Sequence, residues 1–258
     1  MSSWSLEEHG RLAVLTFRRE PSNWMDFVSM GELADHLAEL ADRTDEISVV
    51  MLTGGLDGFF IAHADLDDLA ALAPGGEVAG NPASWTRALS LLESMPQPTV
   101  AAIDGQAWGG GCETSLACTM RIGSPRAHLG QPEIVIGIIP GAGGTQRLPR
   151  LVGRAKGAEL VLTGRVVGAE EAERIGLLNA VLPSDGFRDA AIDWCQAVAR
   201  HSPAAVFAAK RAVVEGFTKP LVDGLRLEVE QFLTLNASDD AQARNASARS
   251  SGRPIDQT

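Results

Sequence analysis

The stretch formed by residues 98–148 constrains the fold more than any other part of the chain. It opens with a β-branched run, Thr99 to Ile103, whose composition predicts a short buried strand. The glycine triplet 109–111 follows. Residues without a side chain let the backbone approach another group closely before a helix starts near Cys112. The rest of the chain is therefore expected to be organised around this stretch.

Two glutamates lie within the same stretch, Glu113 after the triplet and Glu133 after Pro132. Each has an ordinary interpretation: Glu113 could be a first-turn acid that complements the helix dipole, and Glu133 could end a turn. Their surroundings are apolar and rich in glycine, where a carboxylate is costly unless it is paired or used. Together with N–H groups at a helix start, the two carboxylates indicate a site for acyl transfer or proton transfer.

Composition limits the classes of partner. The chain has 258 residues and a formal net charge of −11, with 45% hydrophobic and 21% charged residues. This suits a globular protein with a full core, and the charge argues against wholesale binding to nucleic acid or anionic membranes. Three cysteines in apolar contexts indicate reduced core residues. No apolar run could span a bilayer, and the N-terminus lacks a signal-peptide pattern. We therefore expect a cytoplasmic protein.

The distribution of strand and helix signals predicts two regions. Strands and helices alternate up to about residue 185, beginning with a strand over Leu12–Phe17, and this defines an α/β core over residues 1–185. Residues 186–258 read as helical only. The four helical segments are expected near 187–200, 203–216, 220–235 and 238–249. The last residues, 250–258, are expected to be frayed.

Several familiar motifs are absent. Residues 141–146 fail as a dinucleotide-binding fingerprint, because Gln146 stands at the third required glycine. No P-loop lysine, H-E-x-x-H or C-x-x-C pattern occurs, and the five histidines have no metal-ligand spacing, so we expect no metal. Ser115 lacks the G-x-S-x-G setting of a serine hydrolase. Trp108, just before the glycine triplet, could line an acyl pocket or fill the core.

Several segments taken together resemble the crotonase superfamily, and within it the enoyl-CoA hydratases. F-I-A-H-A-D-L, residues 60–66, is similar to the first oxyanion segment of that family, and G-Q-A-W-G-G-G-C-E, residues 105–113, to the second. G-Q-P-E-I-V-I-G-I-I-P-G-A-G-G-T-Q-R-L, residues 130–148, is similar to the hydratase signature. A-E-R-I-G-L-L-N-A-V-L-P, residues 172–183, follows as it does in the family. The resemblance covers nearly the whole chain.

The resemblance implies an acyl-CoA thioester as substrate, with its carbonyl oxygen held by the N–H groups of Ala64 and Gly110. Glu113 would act as base toward a water molecule, and Glu133 would deliver a proton to the α-carbon. Two N–H donors suit this reaction, because negative charge builds up on the carbonyl oxygen when water adds to the conjugated alkene. Further substrate or CoA contacts are expected at Ala62, Asp65, Leu66, Gly109, Pro132 and Gly141. No separate cofactor is implied, since the substrate carries coenzyme A.

The same resemblance implies a fold and an assembly. The family fold is a spiral of β-β-α units whose C-terminal helices pack between the subunits of a trimer, often doubled to a hexamer. A helical region over residues 186–258 suits that use, because amphipathic helices need a partner surface. The expected fold class is therefore α/β, a crotonase-like spiral with a C-terminal helical trimerisation region. We expect a homotrimer or a homohexamer.

The chain departs from the family pattern at positions that concern the substrate. His63 stands where the family usually has glycine, so the turn before Ala64 must form with a Cβ present. Gly58 and Asp67 stand where relatives often carry lysines that meet CoA phosphates. Both glutamates of the family pattern are present in this chain. Several family members that catalyse other reactions retain only one of the two acids.

The leading hypothesis is therefore an enoyl-CoA hydratase, which adds water to a trans-2-enoyl-CoA to give a 3-hydroxyacyl-CoA. A second hypothesis keeps the fold but changes the reaction on the acyl-CoA to double-bond isomerisation, decarboxylation or ring chemistry. A third is a non-catalytic subunit that binds acyl-CoA. The sequence leaves the acyl chain length open.

Overall fold

The structure is a computed structural model that describes residues 2–251. Its strands are β1 (Trp4–His9), β2 (Leu12–Phe17), β3 (Trp24–Met25), β4 (Val49–Gly54), β5 (Gly58–Phe59), β6 (His63–Ala64), β7 (Thr99–Ile103), β8 (Gly105–Trp108), β9 (Met120–Gly123), β10 (His128–Gly130), β11 (Val166–Gly168) and β12 (Ala180–Val181). Its helices are α1 (Phe27–Asp42), α2 (Leu66–Ala71), α3 (Ala83–Ser94), α4 (Gly110–Ala117), the 3₁₀ helix η1 (Pro132–Ile136), α5 (Gly144–Val152), α6 (Arg154–Thr163), α7 (Ala169–Arg174), α8 (Phe187–Ala199), α9 (Pro203–Phe217), α10 (Leu221–Asn236) and α11 (Asp239–Ser251). The chain divides into two compact units, Met1–Ala199 and Arg200–Thr258.

Two sheets of the first unit repeat one strand-strand-helix turn. The larger sheet has the order β1-β2-β4-β7-β9-β12, and the smaller one has the order β11-β10-β8-β5. In each turn the first strand joins the larger sheet and the second joins the smaller, as in the pairs β4 and β5, β7 and β8, and β9 and β10. Neighbouring strands from successive turns pair in parallel. The predicted spiral of β-β-α units is therefore present.

Both faces of the larger sheet are apolar, as is usual for a parallel sheet covered on two sides. Along β2, Ala13, Leu15 and Phe17 join the core cluster that includes α1 and α3. The alternate residues Leu12 and Val14 join a second cluster, which α8 covers. The first compact unit continues to residue 199, beyond the boundary expected at 185, because α8 covers this second face of the sheet.

The helices were predicted better than the short strands. The helical segments expected near 187–200, 203–216, 220–235 and 238–249 are α8, α9, α10 and α11, and the strand expected over Leu12–Phe17 is β2. The strand β1 was missed because its W-S-L-E-E-H sequence is largely polar and exposed at the sheet edge. Of the end expected to be frayed, residues 250 and 251 belong to α11, and residues 252–258 lie outside the described residues.

The second unit contains the helices α9, α10 and α11. The helices α9 and α10 pack against each other, and they approach closely where Gly216 faces Gly224. A large apolar surface of these two helices remains exposed in the single chain. Its side chains are Val213, Phe217, Leu221, Val222, Leu225, Val229, Phe232 and Leu233.

Candidate active site

A cavity of about 700 Å³ lies in the first unit, and both candidate glutamates line it. Its walls come from α2, α3, the glycine triplet and the segment that runs from Pro132 to Arg147. Most of the lining side chains are apolar, including that of Trp108. An apolar cavity with a few convergent polar groups is the usual form of a small-molecule site.

The glycine triplet forms the sharp connection from β8 into α4. Gly109 has φ +49, a backbone conformation that favours glycine, and its N–H donates to the Gly130 carbonyl oxygen at 2.9 Å. A Cβ at Gly111 would collide with the Ile61 carbonyl oxygen. Gly110 is the first residue of α4, so its N–H has no acceptor within the helix.

The segment before α2 is held beside the triplet by backbone hydrogen bonds. The Trp108 N–H donates to the Ala62 carbonyl oxygen at 2.9 Å, and the Asp65 N–H donates to the Met25 carbonyl oxygen at 2.8 Å. The methyl group of Ala64 lies 3.2 Å from the point where a Cβ on Gly110 would stand. The two residues predicted to form an oxyanion hole are therefore neighbours in the cavity wall.

Glu113 is almost completely buried on α4, and backbone groups fix its position. Its Oε1 atom accepts hydrogen bonds from the N–H groups of Ala142 at 2.7 Å and Gly144 at 2.8 Å. Burial raises the pKa of Glu113, while these two donors and the charge of Arg147 act in the opposite direction. The two hydrogen bonds thus fix the orientation of the carboxyl group.

Glu133 lies in the first turn of η1 in a less polar setting. Burial, together with the negative charge of Glu113, raises the pKa of Glu133 to about 7, although its own backbone N–H lowers it. The fully buried Gln131 lies next to it. With its amide nitrogen toward Glu133, Gln131 donates to Oε1 at 2.9 Å and to Oε2 at 3.2 Å. The cavity therefore holds one fixed carboxylate and one that takes up a proton near neutral pH.

The structure brings most of the predicted site residues to this cavity. Its lining includes Glu113, Glu133, Ala64, Gly110, Leu66, Gly109, Pro132 and Gly141. Two further predicted contacts, Ala62 and Asp65, do not line it. Ala62 is fully buried behind the wall. The Asp65 carboxylate caps α2 through the Asp67 N–H and accepts a hydrogen bond from Arg19 at 2.8 Å.

His63 occupies the cavity wall without backbone strain. It lies in β6, and Asn23 is the one non-glycine residue with positive φ among residues 2–251. The His63 ring stacks on Trp24 with a centroid distance of 5.6 Å. Its Nδ1 atom lies 2.7 Å from the Ala64 carbonyl oxygen, so Nδ1 carries the proton and donates to that oxygen.

Three residues of the site were not identified from the sequence. Trp85 on α3 lies against Gly110, with its Cη2 atom 2.5 Å from the point where a Cβ would stand. Arg147 donates from Nε and Nη2 to Glu93 at 2.7 and 2.9 Å and from Nη1 to the Ala142 carbonyl oxygen at 2.7 Å. Gln131 could have been suspected from its place two residues before Glu133.

Two features are absent from residues 2–251. In that part of the chain, no group of three or more His, Cys, Asp or Glu side chains is placed to hold a metal ion. No helix within it is long and apolar enough to cross a membrane.

Comparisons with known proteins agree with the spiral fold. The family model described as enoyl-CoA hydratase/isomerase matches residues 7–250. A crystal structure of an enoyl-CoA hydratase from Bacillus anthracis superimposes with a TM-score of 0.88 and 32% identity, over 98% of this chain and 97% of that one. The fold is therefore that of the crotonases.

Relatives in sequence point to the same family. A 2,3-dehydroadipyl-CoA hydratase from Escherichia coli is 36% identical over 93% of this chain and 92% of its own length. A short-chain-enoyl-CoA hydratase from Clostridium acetobutylicum is 35% identical over 91% of this chain and 90% of its own. The chain belongs to the enoyl-CoA hydratase/isomerase family.

Proposed function

We propose that this protein is an enoyl-CoA hydratase that adds water to a trans-2-enoyl-CoA and forms a 3-hydroxyacyl-CoA. One observation carries the proposal: two glutamates with different surroundings line the same cavity as Ala64 and Gly110. Glu113 is held in place by two backbone donors, and the pKa of Glu133 is raised to about 7. Such a pair suits a reaction that needs a base and an acid together.

The thioester carbonyl oxygen is proposed to accept hydrogen bonds from the N–H groups of Ala64 and Gly110. As the water oxygen bonds to the β-carbon, the alkene electrons move toward that carbonyl oxygen, and the two donors stabilise the resulting negative charge. The positive end of α4 adds to this effect, since the helix begins at Gly110. These interactions are strongest in the transition state, which is the condition for acceleration.

Two proton transfers complete the addition. Glu113 takes one proton from the attacking water, so that a hydroxyl group remains on the β-carbon. Glu133 gives its proton to the α-carbon as the enolate electrons return. After product release, the proton on Glu113 is lost and Glu133 is protonated again, which restores the starting state. No cofactor takes part in this scheme, because coenzyme A belongs to the substrate.

The test follows the loss of enoyl-thioester absorbance with 2-hexenoyl-CoA. We expect Glu113→Gln and Glu133→Gln each to lower kcat at least about a hundredfold, in the range usual for general acid–base groups. Glu170→Gln is the matched control, since Glu170 is exposed on α7 and should keep full activity. Full activity of Glu133→Gln, or a product that has gained no water, would refute the proposal.

We also propose that the chain forms a homotrimer or homohexamer through the second unit. The support is the exposed apolar surface of α9 and α10, where Phe217 is 75% and Leu221 is 79% exposed in the single chain. Large contiguous apolar surfaces usually mark interfaces. Identical chains most often assemble with closed symmetry.

A further inference from the structure

The outer wall of the cavity is made of large apolar side chains that are partly open to solvent. Leu66 begins α2 and Leu72 follows it, and Val135, Ile136 and Ile139 lie on and after η1. All five line the cavity, and all are at least half exposed in the absence of substrate. Apolar side chains around the mouth of a cavity indicate an apolar ligand group that covers them.

One permanently charged cationic side chain, that of Arg147, lines the cavity, and it already forms an ion pair with Glu93. Among the lining residues of the described chain, Arg147 is the only arginine, and no lysine occurs. The Arg147 guanidinium makes two hydrogen bonds to the Glu93 carboxylate, which raises its pKa. The two catalytic candidates, Glu113 and Glu133, place two carboxyl groups in the same cavity.

His63 does not offer a free donor either. Its Nδ1 proton is used by the Ala64 carbonyl oxygen, so the neutral ring presents a lone pair at Nε2. A second carboxylate entering this cavity would therefore find no unpaired cation. Besides the glutamates and the apolar side chains, it would meet only neutral polar groups, which belong to Thr86, Ser90, Gln106 and Trp108. Burying an unpaired carboxylate is costly.

We infer that the cavity selects acyl chains that end in an unsubstituted hydrocarbon tail and excludes those that end in a carboxylate. This inference rests on the proposed function and specifies the substrate class of the same site. The occupant of the apolar wall is the acyl tail itself. The E. coli relative differs in this respect, since its name denotes a dicarboxylic acyl group.

The first part of the test compares two substrates that differ only at the end of the chain, 2-hexenoyl-CoA and 2-hexenedioyl-CoA. We expect kcat/KM to be about a hundredfold or more lower for the dicarboxylic substrate, because its terminal carboxylate finds no unpaired cation. Equal kcat/KM values for the two substrates would overturn the inference.

The second part of the test lengthens the tail. From 2-butenoyl-CoA to 2-decenoyl-CoA, kcat/KM should rise about fourfold for each methylene group that the wall buries. Ile139→Ser should weaken this dependence, since Ile139 is a 66% exposed part of the wall. Leu162→Ser is the control, because Leu162 is 72% exposed but does not line the cavity. A wild-type preference for the shortest chain would also overturn the inference.

A gain of function gives an independent measurement. Thr86 is an exposed residue of α3 that lines the cavity, so a longer side chain there can reach the interior without disturbing the core. Thr86→Arg should raise kcat/KM for 2-hexenedioyl-CoA at least about tenfold, since it supplies the missing cation. Thr86→Met, of similar length without charge, should not. Equal effects of the two substitutions would contradict a role for charge.

Failure of the inference can be distinguished from failure of the proposed function. If the protein hydrates 2-hexenoyl-CoA and 2-hexenedioyl-CoA alike, the function stands and the selectivity is refuted. If it hydrates neither, the function is refuted, and the cavity is then tested by calorimetry with hexanoyl-CoA and adipoyl-CoA. Tighter binding of hexanoyl-CoA supports the selectivity, and equal binding refutes it.

Discussion

The carboxylates of Glu113 and Glu133 differ in the groups that surround them, and the difference has a measurable consequence for stability. A carboxyl group whose pKa is raised on folding stabilises the folded state at pH values below its ordinary pKa of about 4.5. That contribution is lost as the pH rises through the folded value. For Glu133 the folded value is about 7. The loss therefore falls between about pH 5 and pH 8.

Glu133→Gln removes this titration. We expect the free energy of unfolding of the variant, relative to wild type, to increase by about 2 kcal/mol between pH 5 and pH 8. Urea unfolding at both pH values measures it, with Glu170→Gln as the control that should show no such change. If the free energies of unfolding of Glu133→Gln and wild type differ by the same amount at both pH values, the pKa of Glu133 is not raised.

The same titration predicts the pH dependence of catalysis. If Glu133 gives a proton to the substrate, kcat/KM for hydration should fall as the pH rises through about 7, because the protonated form is lost. The pH profile of the wild-type enzyme with 2-hexenoyl-CoA checks this. A rate that stays constant from pH 6 to pH 9 would exclude Glu133 as the acid in the limiting step.

At the scale of elements, the start of α4 depends on a close backbone contact. Gly111→Ala would place a Cβ against the Ile61 carbonyl oxygen, and overpacking at such a contact costs about 1–3 kcal/mol. Gly168→Ala is the control, since an added Cβ there meets nothing within 4 Å. We expect urea unfolding to show a clear loss of stability for Gly111→Ala only. Equal stabilities would mean that this contact does not fix the helix.

Elements also show how far the sequence alone could predict this structure. The helices α1 and α3 can be predicted from the sequence, because their apolar residues recur at helical spacing. The candidate site can be predicted as well, because the glycine triplet and the two glutamates lie in one short stretch. The two-residue strands β3, β5 and β6 are too short to have a period. The contact from Glu113 to the N–H groups of Ala142 and Gly144 joins residues that are distant in the sequence, and Trp85 reaches Gly110 only in the folded chain.

At the scale of the whole molecule, the proposed trimer or hexamer predicts the mass of the particle, and the apolar surface of α9 and α10 is the proposed interface. We expect a particle of three or six times the 27.2 kDa chain mass by light scattering after size exclusion. Phe217→Asp combined with Leu221→Asp should lower that mass, because charges would have to be buried at the interface. Leu162→Asp, an exposed apolar position of the first unit, should leave it unchanged. A monomeric wild-type protein would refute the assembly.

The two hydrogen bonds that orient Glu113 come from main-chain N–H groups and not from side chains. Every amino acid except proline supplies such a group. Position 142 can therefore accept many different residues during divergence without moving the carboxylate, and proline is the one substitution that would remove the donor outright. Position 144 accepts fewer residue types than position 142, because the Gln131 amide occupies the space that a side chain at position 144 would need. The sequence of this loop can therefore change, and the shape of the cavity can change with it, while the orientation of the Glu113 carboxylate is preserved.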